Sequence, residues 1–454
     1  MGRRLVVIGG DAGGMAAAAQ ARRVDPLLDI VALEKGRWTS YSACGIPYLI
    51  GGEVASLDDL VARTPEQLRE QGIDVRIRHE AMAVDLEAGK VEVRDHKLGR
   101  TFALGFDRIH LGTGARPFRP DLPGIDESFV GGVQTLDDAQ QLLSHLTHPP
   151  PWAPGGVKKV VVVGAGYIGL EMAEAFIRRG LAVTLITATP EVMPTLDPDM
   201  GKGVTRALRK LGVTVRCGES VTGFEAGAVH TSVGVTPADL VVLGIGVAPN
   251  ATLADQAGLL LGARGSIVVD RRQRTSHEAV WAAGDCCEST HLVSGQKVHV
   301  ALGTVANKQG RVAGTNLGGG YATFAGVLGT AITKVCGLEV ARTGLTESEA
   351  VVAGFEPVAG VVDSTTIAGY MPDAAPLRVK VVAERGTGRL LGAQIVGDGP
   401  GAGKRIDVVA TALTANMDAG DVADLDLAYA PPFGPLWDPV AIGARRAAAA
   451  ANAT

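Results

Sequence analysis

The sequence predicts an α/β protein with two Rossmann-like dinucleotide-binding domains, followed by an α+β domain. Residues 5–34 and 160–187 share one plan: an uninterrupted apolar strand, a glycine-rich turn, an alanine-rich helix and a second apolar strand. Apolar runs without alternation indicate strands that are covered on both faces, as in a parallel sheet. After about residue 325 the pattern changes, and residues 377–382 alternate apolar and polar side chains as half-buried antiparallel strands do.

Composition narrows the function classes. The 454 residues suggest about three domains, and a net charge of -5 without a block of Lys or Arg gives no sign of nucleic-acid binding. No apolar run reaches the ~18 residues that span a bilayer. The first eight residues are interpreted as a buried strand rather than a signal peptide. Five cysteines, an odd and sparse set, fit a reducing cytoplasm, so we expect a cytoplasmic protein with no membrane partner.

The first glycine turn follows the first apolar strand. Gly9 and Gly14 stand at its ends, where the lack of a side chain allows a tight turn and a close helix–strand contact. The helix N-terminus then faces the pyrophosphate of a dinucleotide. Glu34, twenty residues after Gly14, is placed to accept hydrogen bonds from the adenosine ribose. Asp11 replaces the middle glycine, so its carboxylate is expected to point away from the phosphates.

The second turn, residues 164–169, has the full GxGxxG pattern between a strand and a helix. Its ribose position carries Thr187 rather than an acid. A carboxylate there favours NAD and repels the 2′-phosphate of NADP, so its absence admits NADPH. No arginine follows immediately to bind that phosphate. NADH and NADPH therefore both stay open.

Two later motifs distinguish a flavin site from a second nicotinamide site. Residues 113–115 (Thr-Gly-Ala) follow one apolar strand, and residues 281–285 end another with Asp285. Their small residues let the backbone approach a ligand, and Asp285 can hydrogen-bond a polyol such as ribitol. Either motif alone is equally an ordinary strand–turn junction. Their order relative to the two glycine turns favours FAD at the first turn and NAD(P)H at the second.

Cys44 is the candidate reactive cysteine. It comes ten residues after Glu34, and Pro47 favours a helix that begins at this point. The positive end of the helix dipole is expected to stabilise a thiolate and to lower the thiol pKa. The alternative is a buried structural cysteine.

The remaining cysteines are interpreted as structural. Cys286 and Cys287 are expected to pack beside the flavin, because a disulfide between neighbours would be strained. Cys217 and Cys336 lie in strand-like contexts and are interpreted as core residues. The nine histidines show no ligand spacing, so no metal site is predicted.

Together these motifs resemble the pyridine nucleotide–disulfide oxidoreductases along nearly the whole chain. Within that family the chain is most similar to the single-cysteine branch, which contains coenzyme A disulfide reductases, NADH oxidases and NADH peroxidases. The blocks that carry this resemblance are residues 40–52, 306–310, 329–332 and 429–433. Two-cysteine members place a second cysteine five residues after the first, where this chain has Leu49. A mixed disulfide or a sulfenic acid is therefore expected as the oxidised form of Cys44.

The resemblance implies a three-domain organisation. Residues 1–125 and 251–325 are expected to form an FAD-binding domain. Residues 126–250 are expected to form an inserted NAD(P)H-binding domain. Residues 326–454 are expected to form an interface domain that makes a homodimer.

The resemblance also implies roles for individual residues. Tyr167 resembles the tyrosine that gates the nicotinamide pocket, and Tyr429 resembles one that reaches across the dimer to the redox cysteine. Tyr370 falls where the family has a second tyrosine. Ala12 replaces a histidine of the oxidases and peroxidases, which favours disulfide reduction. The candidate residues are catalytic Cys44, Tyr429 and Tyr370; substrate-binding Gln20, Arg23, Ser40 and Ser42; and cofactor-binding Gly9, Asp11, Ala12, Gly13, Gly14, Glu34, Lys35, Thr113, Gly114, Ala115, Asp285, Gly164, Gly166, Tyr167, Ile168, Gly169, Thr187 and Gly246.

The sequence thus predicts an FAD-dependent NAD(P)H:disulfide oxidoreductase that acts through Cys44 on a small disulfide or persulfide, with coenzyme A disulfide as the first candidate. Other thiol disulfides and quinones also fit this pattern. Two alternatives of other classes stay open: an NAD(P)H oxidase or peroxidase, and a flavin-based redox sensor.

Overall fold

The computed structural model describes residues 3–453. The strand expected in the first eight residues is present from Arg4 to Ile8, while Met1 and Gly2 lie outside the described residues. The first part of the chain, up to about residue 125, contains β1 (Arg4–Ile8), α1 (Ala12–Val24), β2 (Asp29–Glu34), α2 (Ile46–Gly51), α3 (Pro65–Glu70), β3 (Ile73–Ile77), β4 (His79–Asp85), β5 (Lys90–Asp95), β6 (Arg100–Gly105), β7 (Arg108–Leu111) and β8 (Ala115–Pro117).

A second group of elements follows up to about residue 250. It comprises β9 (Val130–Gly131), α4 (Leu136–Thr147), β10 (Lys159–Val163), α5 (Tyr167–Arg178), β11 (Ala182–Thr187), α6 (Pro198–Leu211), β12 (Thr214–Cys217), β13 (Val221–Glu225), β14 (Ala228–Thr231), β15 (Gly234–Pro237), β16 (Leu240–Leu243) and β17 (Val247–Pro249).

The rest of the chain returns to the first group and then builds a last one. The returning elements are α7 (Thr252–Gln256), β18 (Val280–Ala282), β19 (Ser289–Thr290), β20 (Lys297–Val298) and α8 (Gly303–Leu317). The last group is β21 (Ala331–Val335), β22 (Leu338–Gly344), α9 (Glu347–Val352), β23 (Pro357–Thr365), β24 (Pro376–Glu384), β25 (Leu390–Asp398), α10 (Ile406–Thr414), α11 (Ala419–Ala423) and α12 (Pro439–Ala451).

Three five-stranded sheets organise these elements. The first has the order β18-β7-β1-β2-β3 and the second the order β12-β11-β10-β16-β9, and both are parallel. The third, β21-β22-β25-β24-β23, is antiparallel. This confirms the predicted α/β fold with two Rossmann-like units and a C-terminal α+β unit. The two connections between the parallel sheets run side by side, since β8 and β17 pair antiparallel.

The apolar runs cover both faces of the parallel sheets, as their lack of alternation predicts. Leu5 and Val7 of β1 pack on the same side as Met15 of α1. Val6 and Ile8 pack on the other side, in a cluster with apolar residues of the small antiparallel sheet β4-β5-β6. The glycine turns that follow the carboxyl ends of β1 and β10 therefore each lie at the edge of a buried sheet, which is where ligands bind in doubly wound folds.

Three local expectations were wrong. The alanine tail, residues 447–451, whose composition predicts a frayed end, instead forms the last part of α12, where Ala451 is buried and its carbonyl accepts a backbone hydrogen bond from Gly386. Strand β24 is antiparallel but not half-buried, because Lys380 on its polar face is enclosed by carboxylates. Cys336 lies in the turn between β21 and β22 with φ of 54°, not in a strand.

Candidate active site

The first glycine turn has the geometry that its sequence predicts. Gly9 has φ of 109°, and a side chain at Gly14 would place its Cβ 2.0 Å from the Gly9 carbonyl oxygen. Glu34 ends β2 beside this turn, and its carboxylate accepts hydrogen bonds from the backbone N–H groups of Gly10 at 2.8 Å and Gly36 at 2.6 Å. The carboxylate is thereby oriented at the edge of the turn, with lone pairs left for ribose hydroxyls.

Asp11, the N-cap residue of α1, connects the glycine turn to the Cys44 segment. Its carboxylate accepts a hydrogen bond from the backbone N–H of Tyr41 at 3.1 Å, and the backbone N–H of Ser40 donates to the Gly10 carbonyl at 2.8 Å. Burial raises the pKa of Asp11 to about 6, and the nearby Glu34 contributes. The side chain thus turns toward the Cys44 segment, as the expected avoidance of the phosphates requires. Ala12 and Gly13 form the first turn of α1.

Asp285 follows β18 and faces the same region. Burial raises its pKa to about 6, and no protein donor to its carboxylate is found within residues 3–453. Gly284 is fixed by Gln309 of α8, whose side-chain oxygen accepts its N–H at 2.8 Å. Helix α8 approaches α1 so closely that a Cβ at Gly310 would lie 2.4 Å from the Gly13 carbonyl. A desolvated carboxylate with free lone pairs fits a polyol ligand such as ribitol.

The other residues that the sequence predicts to bind the first dinucleotide lie beside this region. Thr113 donates from Oγ1 to the Asn250 carbonyl at 2.6 Å, which ties the turn before β8 to the segment after β17. Gly114, with φ of 67°, has open space where a side chain would be, and Ala115 begins β8. Lys35 lines a surface cleft of about 470 Å³ beside Glu34, together with Gly36, Arg37, Arg78, His96 and Asp137.

Cys44 lies in a short 3₁₀ turn, Ala43–Gly45, directly before α2. The residue is accessible to solvent, yet partial desolvation raises the pKa of its thiol, and the carboxylates of Glu171, Asp285 and Asp11 raise it further. The expectation of a lowered pKa was therefore wrong for the protein's own groups. A backbone hydrogen bond at Cys44 lowers the pKa of the thiol, but burial and negative charge outweigh it.

The neighbouring cysteines form no disulfide. Cys286 and Cys287 are buried and free, with their sulfur atoms 3.7 Å apart. The Cys286 Sγ contacts the carbonyl oxygens of Leu111 at 3.5 Å and Ala283 at 3.4 Å. These contacts are those of small packing residues at the carboxyl edge of the first sheet. Both thiols are inaccessible to a substrate.

The second glycine turn repeats the geometry of the first. Gly164 has φ of 99°, and a Cβ at Gly169 would lie 2.2 Å from the Gly164 carbonyl. Gly166 is the N-cap of α5, whose first residues are Tyr167 and Ile168. The Tyr167 side chain is half-buried with its hydroxyl 3.5 Å from Thr195 Oγ1. The turn thus has the geometry of a second dinucleotide site, with an aromatic side chain at the start of its helix.

Thr187, the residue that the sequence predicts to lie near the ribose of the second dinucleotide, is enclosed by other protein residues. Thr187 is buried, and its Oγ1 lies 2.8 Å from Thr189 Oγ1. The Thr187 carbonyl accepts the N–H of Glu219 at 3.0 Å. Gly246, with φ of 97°, lies immediately before β17 and accepts the N–H of Phe118 at 2.9 Å.

The candidate substrate residues form two separate pairs. On α1, Arg23 donates to the Gln20 side chain at 3.2 Å, and Gln20 donates to Thr315 of α8 at 3.2 Å. Ser40 and Ser42 lie in the Cys44 segment, where Ser40 has φ of 50° and Ser42 is exposed. No direct hydrogen bond joins the two pairs within the described residues.

The two candidate tyrosines of the C-terminal domain lie together. The pKa of the Tyr370 hydroxyl is raised by desolvation and by a hydrogen bond with Tyr429. Tyr370 is 75% exposed and Tyr429 46% exposed, and Phe433, four residues after Tyr429, is 79% exposed.

Sequence reasoning missed several residues that shape these sites. Glu171 of α5 acts on the Cys44 thiol, and Thr333 of β21 donates a short hydrogen bond to its carboxylate. His299 contacts the Asp285 carbonyl at 2.7 Å through Nε2. Glu171 is four residues after Tyr167, so helical periodicity places both on one face and could have identified it.

These features define an oxidoreductase with two dinucleotide sites, in which a cysteine lies beside the first. The sequence matches the pyridine nucleotide-disulphide oxidoreductase family over residues 3–310 and the dimerisation domain of that family over residues 330–439. The chain belongs to this family. Its cofactors are FAD and NAD(P)H, and the first glycine turn with Glu34 and the free Asp285 carboxylate fits FAD.

Curated relatives cover nearly the whole chain. A CoA-dependent NAD(P)H sulfur oxidoreductase of Pyrococcus furiosus is 38% identical over 452 residues, which is 98% of each chain. An NADH oxidase of Methanocaldococcus jannaschii is 35% identical over 98% of each chain. A coenzyme A disulfide reductase of Staphylococcus epidermidis is 30% identical over 95% of this chain and 96% of its own.

Solved structures agree. Reduced CoADR-RHD of Bacillus anthracis superimposes with a TM-score of 0.95 at 32% identity, covering 99% of this chain and 81% of that one. An NAD-dependent persulfide reductase of A. fulgidus gives 0.92 at 39% identity, covering 97% and 82%. None of the helices described between residues 3 and 453 is long and apolar enough to cross a membrane.

Proposed function

We propose that this protein reduces a low-molecular-weight disulfide or persulfide, with coenzyme A disulfide as the first substrate to test, at the expense of NAD(P)H. The observation that carries the proposal is the position of Cys44. It is the accessible cysteine of the first dinucleotide site, tied through Tyr41 and Asp11 to the glycine turn that fits FAD. The relatives named for coenzyme A-dependent sulfur reduction support the substrate class.

The chain's own residues supply the thiol chemistry. The Cys44 thiolate attacks one sulfur of the substrate RSSR, the substrate S–S bond breaks, and a Cys44–S–S–R mixed disulfide forms while RS⁻ leaves and takes a proton. Two electrons from NAD(P)H then cleave this mixed disulfide to the Cys44 thiolate and a second RS⁻, which is also protonated. The sum is NAD(P)H + H⁺ + RSSR → NAD(P)⁺ + 2 RSH. Bound FAD supplies the two-electron relay between nicotinamide and sulfur.

The acidic surroundings of Cys44 constrain this chemistry. Because burial and the carboxylates of Glu171, Asp285 and Asp11 raise the pKa of the Cys44 thiol, the regenerated thiolate is basic and the reaction favours higher pH. Tyr429 is proposed to reach Cys44 of the partner subunit in a homodimer and to protonate the leaving thiolate. The exposed Tyr370, Tyr429 and Phe433 surface and the matched dimerisation domain support this arrangement.

Gln20 and Arg23 are proposed to bind the substrate's anionic group. The Arg23 guanidinium is exposed at the end of α1 and is braced by Gln20. Guanidinium groups suit phosphates such as those of coenzyme A. Arg23→Ala should raise KM for coenzyme A disulfide far more than KM for an uncharged small disulfide, and equal increases for both would contradict this role.

The decisive experiment substitutes Cys44. Cys44→Ser should abolish disulfide reduction, because the serine hydroxyl stays protonated and is a poor nucleophile. Reduction of FAD by NAD(P)H should survive. Cys286→Ser is the matched control and should keep most activity, since its thiol is buried. Near-normal disulfide turnover by Cys44→Ser would contradict the mechanism. So would a loss of turnover in Cys286→Ser when Cys44→Ser keeps its activity.

The second candidate is an NAD(P)H oxidase, which the M. jannaschii relative's name suggests. Ala12 stands where the sequence resemblance places a histidine in oxidases, and this favours disulfide reduction. Oxygen consumption without added disulfide distinguishes the two. A rate comparable with disulfide turnover would favour the oxidase. The mass of the group attached to Cys44 after purification without reductant would identify the natural thiol.

A further inference from the structure

The loop between β11 and α6, residues 188–197, is fixed by the C-terminal domain. Arg342 of β22, only 8% exposed, donates through Nη1 to the Thr195 carbonyl at 2.8 Å. The same guanidinium forms a bidentate pair with Glu349, at 3.0 Å to Oε1 and 2.6 Å to Oε2, and donates to the Gly344 carbonyl at 2.6 Å. Such a pair has a defined orientation, so the Thr195 backbone is held in one place.

A second contact lies two residues further along the loop. The backbone N–H of Asp197 donates to Gln394 Oε1 at 2.7 Å, and Gln394 Nε2 donates back to Asp197 Oδ2 at 2.5 Å. The Lys380 ammonium lies 3.1 Å from the same Oδ2. All three side chains are buried. The end of the loop is therefore anchored to the third sheet independently of Arg342.

This loop also touches the second dinucleotide site. Thr195 Oγ1 lies 3.5 Å from the Tyr167 hydroxyl, and the N–H of Met193 donates to the carbonyl of Ala165, inside the glycine turn, at 2.8 Å. Burial raises the pKa of Tyr167, and the nearby Arg342 charge acts in the opposite direction. Arg342 is thus connected to Tyr167 both through Thr195 and through its electric field.

We propose that Arg342 is a positioning residue for the nicotinamide half of the reaction: by fixing the Thr195 segment it sets the position of Tyr167 at the second dinucleotide site. The inference rests on the proposed function and on the resemblance of Tyr167 to the tyrosine that gates the nicotinamide pocket in this family. It assigns the C-terminal domain a role in NAD(P)H binding in addition to dimerisation. None of these contacts includes Cys44, so the half-reaction at Cys44 should be unchanged when they are altered.

The test is Arg342→Lys in the FAD-bound protein. Lysine keeps the charge but cannot make the bidentate pair and reach the Thr195 carbonyl together. We expect stopped-flow measurements of FAD reduction at varied NAD(P)H concentration to show a change of about tenfold relative to wild type. The change should appear in the apparent dissociation constant for NAD(P)H or in the limiting rate of FAD reduction, and its size is that expected for coupled contacts. Reoxidation of the reduced protein by disulfide should be unchanged.

Arg389→Lys is the matched control. Arg389 also contacts another domain, donating to the Val293 carbonyl at 2.9 Å, but it does not touch the loop. It should leave both half-reactions unchanged. In a Tyr167→Phe background, Arg342→Lys should have a smaller effect, because the two residues act on one step.

Two outcomes would overturn the inference. One is that Arg342→Lys lowers thermal stability but leaves FAD reduction at the wild-type rate and NAD(P)H dependence. The other is an equal effect with and without the Tyr167 hydroxyl. If Arg342→Lys does not fold, Thr195→Val decides, since it removes only the hydroxyl beside Tyr167 and should alter the same constant. A wild-type protein whose FAD is not reduced by NAD(P)H would refute the proposed function itself.

Discussion

Lys380→Met should destabilise the protein strongly at neutral and mildly alkaline pH. The Lys380 side chain is 4% exposed. Its ammonium nitrogen lies 3.1 Å from Asp197 Oδ2 and 2.9 Å from Asp199 Oδ1, and it also forms an ion pair with the Glu347 carboxylate. Oxygen atoms of the three carboxylates lie within 4.8 Å of one another, a spacing that metal ligands share, but the ammonium supplies the positive charge. Methionine keeps the length of the side chain and removes that charge.

The magnitude follows from the charge balance. Burial alone would lower the pKa of Lys380, but the three carboxylates raise it to about 12 from the usual 10.5. This difference corresponds to about 2 kcal/mol in favour of the folded state, at about 1.4 kcal/mol per tenfold change. Because the folded pKa is raised, this stabilisation is fully present below about pH 10.5 and is lost as the pH rises through 12. The variant also leaves the carboxylates unpaired, so the total loss should be about 3–5 kcal/mol.

Equilibrium unfolding of the FAD-bound protein in urea at pH 8 measures this loss. Lys404→Met is the control: Lys404 is 71% exposed and pairs with Asp407 one helical turn away, so its loss should cost less than about 1 kcal/mol. A Lys380→Met variant whose free energy of unfolding at pH 8 lies within about 1 kcal/mol of wild type would refute this reasoning.

Three further predictions concern the sites. Thr187→Glu should reduce kcat/KM with NADPH far more than with NADH, by repulsion of the 2′-phosphate, and an unchanged ratio in steady-state kinetics contradicts it. Glu171→Gln should lower the Cys44 pKa, since it removes one carboxylate that raises it; the thiolate-to-flavin absorbance of the reduced protein should appear at lower pH, and an unmoved titration counts against it. Gly310→Val should weaken FAD retention, measured as bound flavin after gel filtration, because its Cβ would lie 2.4 Å from the Gly13 carbonyl. Gly303→Ala, with open space at that position of α8, is its control and should retain FAD.

The fold was predictable because its signals are local. An uninterrupted apolar strand, a glycine turn and an alanine-rich helix occur within thirty residues of each other, and each of these units forms as expected. The errors arose where distant residues decide burial. Lys380 alternates with valines as an exposed residue would, but carboxylates from α6 and α9 enclose it. The alanine tail has little apolar surface, but small side chains let α12 lie closely on the third sheet, where Gly443 and Gly360 meet.

The features of the candidate site also separate into those that neighbouring residues predict and those that distant residues determine. Both glycine turns and the position of Cys44 before a helix follow from neighbouring residues. Contacts between distant segments do not: Gln309 fixes Gly284, Asn250 accepts a hydrogen bond from Thr113, and Arg342 binds the Thr195 carbonyl, and each contact joins residues far apart in sequence. No pattern within one element indicates which distant carbonyl or amide it will meet.

The acidity of Cys44 shows why local reasoning can give the wrong sign. From residues 42–51 alone, a helix terminus predicts a stabilised thiolate. The carboxylates that act on the thiol come from three separate segments: Asp11 before α1, Asp285 after β18, and Glu171 within α5. Burial contributes most to the raised pKa of the Cys44 thiol, and these charges raise it further, whereas the local backbone hydrogen bond acts in the opposite direction. The reactivity of this cysteine is therefore a property of the assembled domains, and substitutions far from it in sequence should tune it more than changes within α2.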